Sequence, residues 1–133
     1  MKILNPAGWA NPRGYSNGIL AEGPAVFVAG QIGWDAHGTL AGPRLVDQFD
    51  RALANVIEVV ASAGGTAQSI VRLTIYVVDI PQYAAARTEI GERYRARMGA
   101  HYPAMTLVQV AALLEPGALV EIEATAVLGR AVN

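Results

Sequence analysis

The sequence lacks cysteine entirely and contains only two histidines, and these shortages exclude several kinds of chemistry. Without cysteine the chain can form no disulfide, no thiolate nucleophile and no zinc–thiolate site. Because cysteine-free chains suit a reducing compartment, we expect a cytoplasmic protein. His37 and His101 lie far apart in the sequence without the short spacing of metal ligands, so we expect no metal site.

Lysine and long hydrophobic runs are also scarce. Lys2 is the only lysine, and the formal net charge is -1 with no basic run along the chain. A nucleic-acid partner normally requires a basic patch, so none is expected. The chain contains no stretch of about 18 apolar residues and no secretory signal pattern, so we expect no membrane insertion.

Apolar residues, by contrast, are abundant. They make up 53% of the 133 residues, while charged residues make up only 16%. The length fits a single domain over residues 1–133. Because a small domain exposes much of its surface, this composition indicates that self-association hides part of the apolar area.

The clearest periodic pattern is helical and begins at Leu45. Apolar residues recur at three- and four-residue intervals as far as Val60, which predicts an amphipathic helix. The glycine pair at 64–65 ends it, because glycine readily adopts the left-handed conformation. A second helix is predicted from a cap at Asp79 to about Met98.

Alternating apolar and polar residues predict strands around these helices. Residues 70–79 alternate, and the apolar set from Val71 to Val77 is expected to face the core. The other predicted segments are an irregular stretch at 5–18, two short strands around a turn at 22–24, and two strands at 105–113 and 118–128 joined by a turn at 115–117.

The order of these elements predicts an α+β fold, in which two helices pack on one face of a mixed sheet. The other face of the sheet is left open. Its residues, which include Tyr76 and Val78, are expected to be too apolar for water. A symmetric oligomer that covers this face is the simplest solution.

Two carboxylates in the last strand are candidates for catalysis. Glu121 and Glu123 are two residues apart, so both project from the same side of the strand. A carboxylate there could position or activate a water molecule. The alternative is a pair of exposed acids on a solvated sheet face.

One glycine and two arginines are candidates for ligand binding. Gly30 could let a backbone amide approach a ligand oxygen closely, or it could mark a strand end or a bulge. Arg13 and Arg87 could bind a carboxylate, or they could be ordinary surface arginines. Ser16 and Thr106 have no neighbouring His or Asp that would favour a catalytic triad. These residues alone do not identify a reaction.

Six segments of the chain together carry a family resemblance. They read "GYSNG", "VFVAGQIGWD", "QFDRALANVIEVVASAGGT", "IVRLTIYVVDI", "YPAMTLVQVAAL" and "GALVEIEATAVL". Their order and spacing, over about residues 14–128, resemble the RidA/YjgF family of reactive intermediate deaminases. The resemblance implies a chorismate-mutase-like α+β fold and homotrimers with pockets at the subunit interfaces.

The resemblance also implies an activity, which is hydrolysis of a reactive enamine or imine to a carbonyl compound and ammonia. No metal or organic cofactor takes part. Tyr15 corresponds to the pocket tyrosine of the family and Gly30 to the glycine of its "GQI" motif. Glu121 corresponds to the carboxylate that places the attacking water.

The sequence departs from the family pattern at residues 103–105. Family members with the best-known activity read Pro-Ala-Arg there, and their arginine binds the substrate carboxylate, whereas this chain reads Pro-Ala-Met. The uncharged thioether of Met105 cannot replace a bidentate guanidinium. We therefore hypothesise that Arg87 or Arg13 supplies the positive charge from another wall of the pocket.

The same departure affects the expected substrate. Met105, Trp34 and Tyr102 would form an apolar wall, which suits a longer or conjugated substrate such as 2-aminomuconate. A non-catalytic protein that binds a small metabolite, or acts as a regulator, is the second interpretation. The absent arginine favours that second interpretation, and the retained Tyr15, Gly30 and Glu121 favour the enzyme.

The register of the last two strands stays open at this level. A tight turn at 116–117 would place Met105 and Glu121 on opposite faces of the sheet. A slip of one residue would reverse this, because it flips every side chain of a strand.

Overall fold

The computed structural model describes residues 1–129, which form six strands, three α-helices and a short 3-10 helix at Ala67–Ser69. None of the helices in this range is long and apolar enough to cross a membrane. The strands are β1 (Lys2–Leu4), β2 (Gly18–Leu20), β3 (Ala25–Ile32), β4 (Ile70–Val77), β5 (Ala104–Gln109) and β6 (Val120–Val127). The helices are α1 (Leu45–Ser62), α2 (Ile80–Ala85) and α3 (Arg87–Met98).

Four of the strands form a mixed sheet in the order β3-β6-β4-β5. Strand β6 is antiparallel to both of its neighbours, and β5 runs parallel to β4 at the edge of the sheet. Parallel neighbours need a long crossover connection, which α2 and α3 provide here. The α+β class with helices on one face of a mixed sheet is therefore confirmed.

The predicted turn at 115–117 is confirmed, because Ala118 donates its N–H to the carbonyl of Glu115 at 3.1 Å, but the two strands that it joins are not neighbours in the sheet. Strand β4 lies between β5 and β6. After β5, Val110 donates its N–H to the carbonyl of Val77 at 2.9 Å. Before β6, Leu119 accepts from the N–H of Val78 at 3.2 Å. The connecting chain thus passes the end of β4 and reverses direction there, because β5 is parallel and β6 antiparallel to β4.

The core lies between the sheet and the helices α1 and α3. The predicted apolar stripe of α1 is confirmed, with Phe49, Leu53 and Val56 almost completely buried. Helix α3 contributes residues at four-residue intervals, including Ile90 and Met98. This spacing keeps them on one face of the helix, where they pack against α1 and the sheet.

The second predicted helix is interrupted. Asp79 caps its start as expected, because its carboxylate accepts a hydrogen bond from the N–H of Gln82 at 3.0 Å. The helix then breaks at Ala86, whose N–H bonds to the Tyr83 carbonyl at 3.0 Å, and a new helix begins at Arg87. No glycine or proline stands at the break, so the sequence carries no signal for it.

Two local strand predictions were also wrong. Ile70 faces the core in place of Val71, because the pairing of β4 with β6 shifts register between Ile70 and Arg72. Near the amino terminus, β1 pairs with β2 in a separate two-stranded sheet that alternation had not indicated. The short strand β1 is exposed at every residue, and so it has no buried face to produce an apolar pattern.

The open face, which we define as the side of the sheet away from the helices, is more polar than predicted. Its residues on the two central strands include Arg72, Thr74, Tyr76, Glu121 and Glu123. A large apolar side chain, Phe27, projects from the neighbouring strand β3 and is 80% exposed. The face is therefore a mixed surface with an exposed aromatic ring.

Candidate functional site

A cleft of about 510 Å³ lies between α3 and the edge strand β5. Five of the predicted site residues line it together. They are Arg13, Tyr15, Arg87, Tyr102 and Met105.

Tyr15 reaches the cleft because the residue after it is anchored to β5. The N–H of Ser16 donates to the Pro103 carbonyl at 3.0 Å. The hydroxyl of Ser16 donates to the Tyr102 carbonyl, and Ser16 itself is buried. Sequence reasoning had considered Ser16 only as a nucleophile. In the structure it fastens the irregular amino-terminal segment across the start of β5.

Two stacked tyrosines form one wall of the cleft. The rings of Tyr94 and Tyr102 are nearly parallel, at an interplanar angle of 10° and a centroid distance of 5.3 Å. The Tyr94 hydroxyl donates to the carbonyl of His101 at 2.8 Å. Burial raises the pKa of Tyr94, so its phenol stays protonated at neutral pH. Tyr94 therefore gives this wall a buried, uncharged aromatic surface.

His101, next to this wall, has a structural partner. One of its ring nitrogens lies 2.6 Å from the carbonyl oxygen of Ile70, at the start of β4. The ring ties the loop before β5 to the neighbouring strand. This contact accounts for His101 without any catalytic role.

The floor of the cleft is apolar. Met105 and Leu107 pair in register with Leu73 and Ile75 of β4, so they project from the helix side of the sheet. Met105 is partly buried against the core. The position at which the resemblance expects an arginine thus faces the cleft, but it contributes no charge there.

Three arginines supply positive charge to the cleft. Arg13, Arg87 and Arg95 line it, and among residues 1–129 none of them forms an ion pair. Sequence reasoning missed Arg95. Its spacing of eight residues from Arg87 was an available signal, because positions i, i+4 and i+8 lie along one broad face of a helix.

A second group of predicted residues lies elsewhere, on the open face. A Cβ placed on Gly30 would lie 2.8 Å from Cδ of Glu121, closer than side chains tolerate. The pairing of β3 with β6 shifts register between Val28 and Gln31, so Gly30 marks a bulge as one interpretation expected. Its missing side chain makes room for the carboxylate of Glu121.

The two carboxylates of β6 differ in their partners. Glu123 accepts a hydrogen bond from the hydroxyl of Tyr76 at 2.6 Å. This bond raises the pKa of Tyr76, because an ionised phenolate could not donate it. In the described part of the chain, no hydrogen bond engages the Glu121 carboxylate. Glu121 is thus the acid that is available for another group.

The structure separates the two groups of residues. Met105 lies on the helix side of the sheet, whereas Glu121 pairs with Tyr76 on the open face. Trp34 belongs to neither group. Its backbone forms an isolated bridge with Leu40, and its carbonyl accepts a hydrogen bond from the Asn55 side chain at 2.8 Å.

Metal-binding residues do not cluster within the described range. Residues 1–129 contain no group of three or more His, Asp or Glu side chains placed to hold a metal ion. The chemistry that this arrangement offers is therefore that of a carboxylate, tyrosine hydroxyls and guanidinium groups.

A family model described as Endoribonuclease L-PSP matches residues 9–128. The chain belongs to this family. RidA and YjgF are members of it, so the resemblance of the six segments is confirmed.

Curated relatives include two proteins named 2-iminobutanoate/2-iminopropanoate deaminase. The protein from Capra hircus is 34% identical over 116 residues, which cover 86% of this chain and 80% of the relative. The human protein is 31% identical with the same coverage.

Solved structures show the same architecture. YyfB, a Rid family protein of unknown function from Yersinia pestis, matches with a TM-score of 0.84 and 36% identity over 96% of this chain and 98% of its own. TdcF of E. coli, solved with bound serine, matches with a TM-score of 0.70 and 29% identity, over 97% of this chain and 100% of its own.

Proposed function

We propose that the protein hydrolyses a reactive enamine or imine to a carbonyl compound and ammonia. The names of its curated relatives support an imine deaminase in general. The observation that carries the proposal is the Glu121 carboxylate, which lies against Gly30 and has no hydrogen-bond partner in the described chain. A free carboxylate of this kind can hold and activate a water molecule.

The active site would be shared between two copies of the chain. One protomer supplies the cleft with Tyr15 and the arginines, and the open face of a second copy supplies Glu121. The opposite placement of Met105 and Glu121 supports this arrangement, because one protomer cannot bring both to one ligand. The position of the cleft at edge strand β5 and the exposed ring of Phe27 support a closed assembly such as a homotrimer.

An enamine substrate would first tautomerise to the imine, as a proton leaves the nitrogen and a proton bonds to the β-carbon. Water would then add to the carbon–nitrogen double bond: Glu121 accepts a proton as the water oxygen bonds to the carbon, and this proton passes to the nitrogen. The hydroxyl proton of the resulting carbinolamine then moves through Glu121 to the nitrogen as the carbon–nitrogen bond breaks, which releases ammonia and leaves the carbonyl. Tyr15 would hydrogen-bond the substrate, and the backbone at Gly30 would line the site. None of these steps needs a cofactor.

The substrate carboxylate would bind to the arginines of the cleft instead of to position 105. Arg87 and Arg13 are without ion-pair partners in residues 1–129, which suits them to an external anion. Met105 and Tyr102 leave an apolar wall that accommodates a longer or conjugated chain. Both 2-iminopropanoate and 2-aminomuconate are therefore substrates to test.

A second candidate function is ligand binding without catalysis. Met105 favours it, because the cleft lacks a guanidinium at the position where the resemblance expects one. The free Glu121 carboxylate argues for the enzyme, since a simple binding protein gains nothing from an unpartnered acid near its site.

Ammonia release distinguishes the two functions. The protein is mixed with freshly generated 2-iminopropanoate or with 2-aminomuconate, alongside the variants Glu121→Gln and Glu123→Gln. We expect release from at least one substrate, a loss of about 100-fold or more in Glu121→Gln, and a smaller change in Glu123→Gln. Absence of release from both substrates, with binding retained, would reject the enzyme in favour of the binding protein.

A further inference from the structure

Helix α3 carries arginines on two different stripes, and only one of these is neutralised. Arg93 and Arg97 contact Asp50 of α1 at 3.2 Å and 2.6 Å, so they join the two helices. Arg87 and Arg95 lie on the side that lines the cleft, and no carboxylate within residues 1–129 pairs with them. The second stripe therefore has no structural ion pair to explain its charge.

Gly91 lets the Arg95 side chain fold along the helix toward Arg87. It stands four residues from each of them, so the three positions share one face. A Cβ placed on Gly91 would lie 3.2 Å from Nη1 of Arg95, so the guanidinium rests against the bare backbone there. Helical side chains lean toward the amino terminus, which is the direction in which Arg95 extends.

The cleft carries more positive charge than one carboxylate can neutralise. Arg87, Arg95 and Arg13 all line it, and among residues 1–129 none of them forms an ion pair. Arg13 enters from the amino-terminal segment, next to Tyr15 in sequence. Met105 and Leu107 supply apolar surface in the same cleft. A ligand with two carboxylates and an apolar chain between them matches both this charge and this apolar surface.

We propose that the cleft binds a dicarboxylate and that Arg95 holds its second carboxylate. One carboxylate meets Arg87 or Arg13, and the apolar chain of the ligand lies on Met105 and Leu107. Arg95 then acts as a specificity residue that separates dicarboxylates from monocarboxylates. This inference rests on the proposed function in taking the cleft as the substrate pocket. It adds Arg95 as the residue that distinguishes the two substrates named above, because 2-aminomuconate has two carboxylates and 2-iminopropanoate has one.

Calorimetric titration of the full chain with adipate and hexanoate tests the charge requirement, because the two ligands have the same number of carbon atoms. We expect adipate to bind about tenfold tighter or more, as charge-assisted hydrogen bonds imply. Arg95→Gln should remove most of this preference and leave hexanoate binding nearly unchanged. Arg95→Lys should keep part of the preference, because it retains the charge but loses the planar fork. Arg51→Gln is the matched control, since Arg51 is exposed on α1 outside the cleft.

Three results would overturn the inference: equal affinities for adipate and hexanoate, an unchanged preference in a folded Arg95→Gln, or inorganic phosphate binding as tightly as adipate. These ligands do not react, so the titration is independent of ammonia release. Ammonia release without an adipate preference would reject only the dicarboxylate site. An Arg95-dependent adipate preference without ammonia release from any imine would retain the site and reject the deaminase.

Discussion

Met105 and Glu121 lie on opposite faces of the central sheet within one protomer. Met105 is level with Leu73 of β4 and faces the helices, whereas Glu121 is level with Tyr76 and faces away from them. If both residues contribute to one active site, a single chain cannot supply both, because the sheet lies between them. This relationship is the physical basis for a site shared between two copies.

Gly30→Ala should lower activity without unfolding the protein. The added Cβ would lie 2.8 Å from Cδ of Glu121 and would push the carboxylate from its position. A displacement of about 1 Å at a catalytic group can cost about 100-fold in rate, so we expect kcat to fall by tenfold to 100-fold with little change in KM. Ammonia-release kinetics measure this. Gly18→Ala is the matched control, because its nearest contact would be an ordinary 3.6 Å, and an equal loss there would contradict the steric explanation.

Met105→Arg should increase the use of small 2-imino monocarboxylates. The side chain at this position lines the cleft, so a guanidinium there can reach a bound carboxylate. One charge-assisted contact corresponds to about a tenfold lower KM, partly offset by repulsion from the arginines already present. Met105→Leu serves as the control for altered packing. An unchanged KM for 2-iminopropanoate would show that carboxylate binding does not occur at this wall.

Asp50→Asn should destabilise the fold at neutral pH but less in acid. The hydrogen bonds from Arg97 hold the pKa of Asp50 below its usual 3.8. Because the pKa of Asp50 is lower in the folded state, its ionised carboxylate stabilises the fold at pH values above the unfolded-state pKa. This stabilisation is lost as the pH falls through the folded-state pKa. We expect a loss of about 1–2 kcal/mol in the free energy of unfolding at pH 7.

Urea unfolding of wild type and Asp50→Asn at several pH values measures the effect. The difference in their free energies of unfolding should become smaller as the pH is lowered from about 5 to about 2. Asp47→Asn is a suitable comparison, because the contact of Asp47 with Arg93 is longer, at 3.8 Å. A difference that stays constant with pH would show that the ion pairs of Asp50 are not its source.

Gly91→Ala should stabilise the protein while weakening dicarboxylate binding. Alanine is favoured over glycine in a helix interior by about 1 kcal/mol, and Gly91 lies well inside α3. The new Cβ would crowd the Arg95 guanidinium at 3.2 Å and shift it by a few tenths of an ångström. Thermal unfolding and adipate titration measure the two effects. A stabilised variant with unchanged adipate affinity would show that Gly91 does not position Arg95 for the ligand.

The sequence predicts the parts of this fold that depend on local periodicity. The stripe from Leu45 to Val60 predicts α1 because each of its apolar residues meets the same core. Periodicity shows which face of a strand is buried, but it does not identify the neighbouring strand. The insertion of β4 between β5 and β6 could not be read from the residues for this reason.

The sequence predicted part of the residue set of the candidate site, but not the division of that set between the two faces of the sheet. Tyr15, Arg13, Arg87, Tyr102 and Met105 do meet in one cleft. The separation of Glu121 from them depends on strand order and register, which are properties of the whole sheet. The role of Ser16 as an anchor could not be predicted from the sequence either, because its partners lie 86 residues or more away along the chain.

Co-assembly of two defective variants tests the shared site most directly. Glu121→Gln and Tyr15→Ala, each nearly inactive alone, are co-expressed with different tags, and the mixed oligomers are purified. If Glu121 and the cleft come from different chains, some sites in the mixed oligomer contain two intact halves. In a purified mixed trimer one of the three sites should be intact, which would restore about a third of wild-type activity. Mixed oligomers that remain as inactive as either parent would contradict the account.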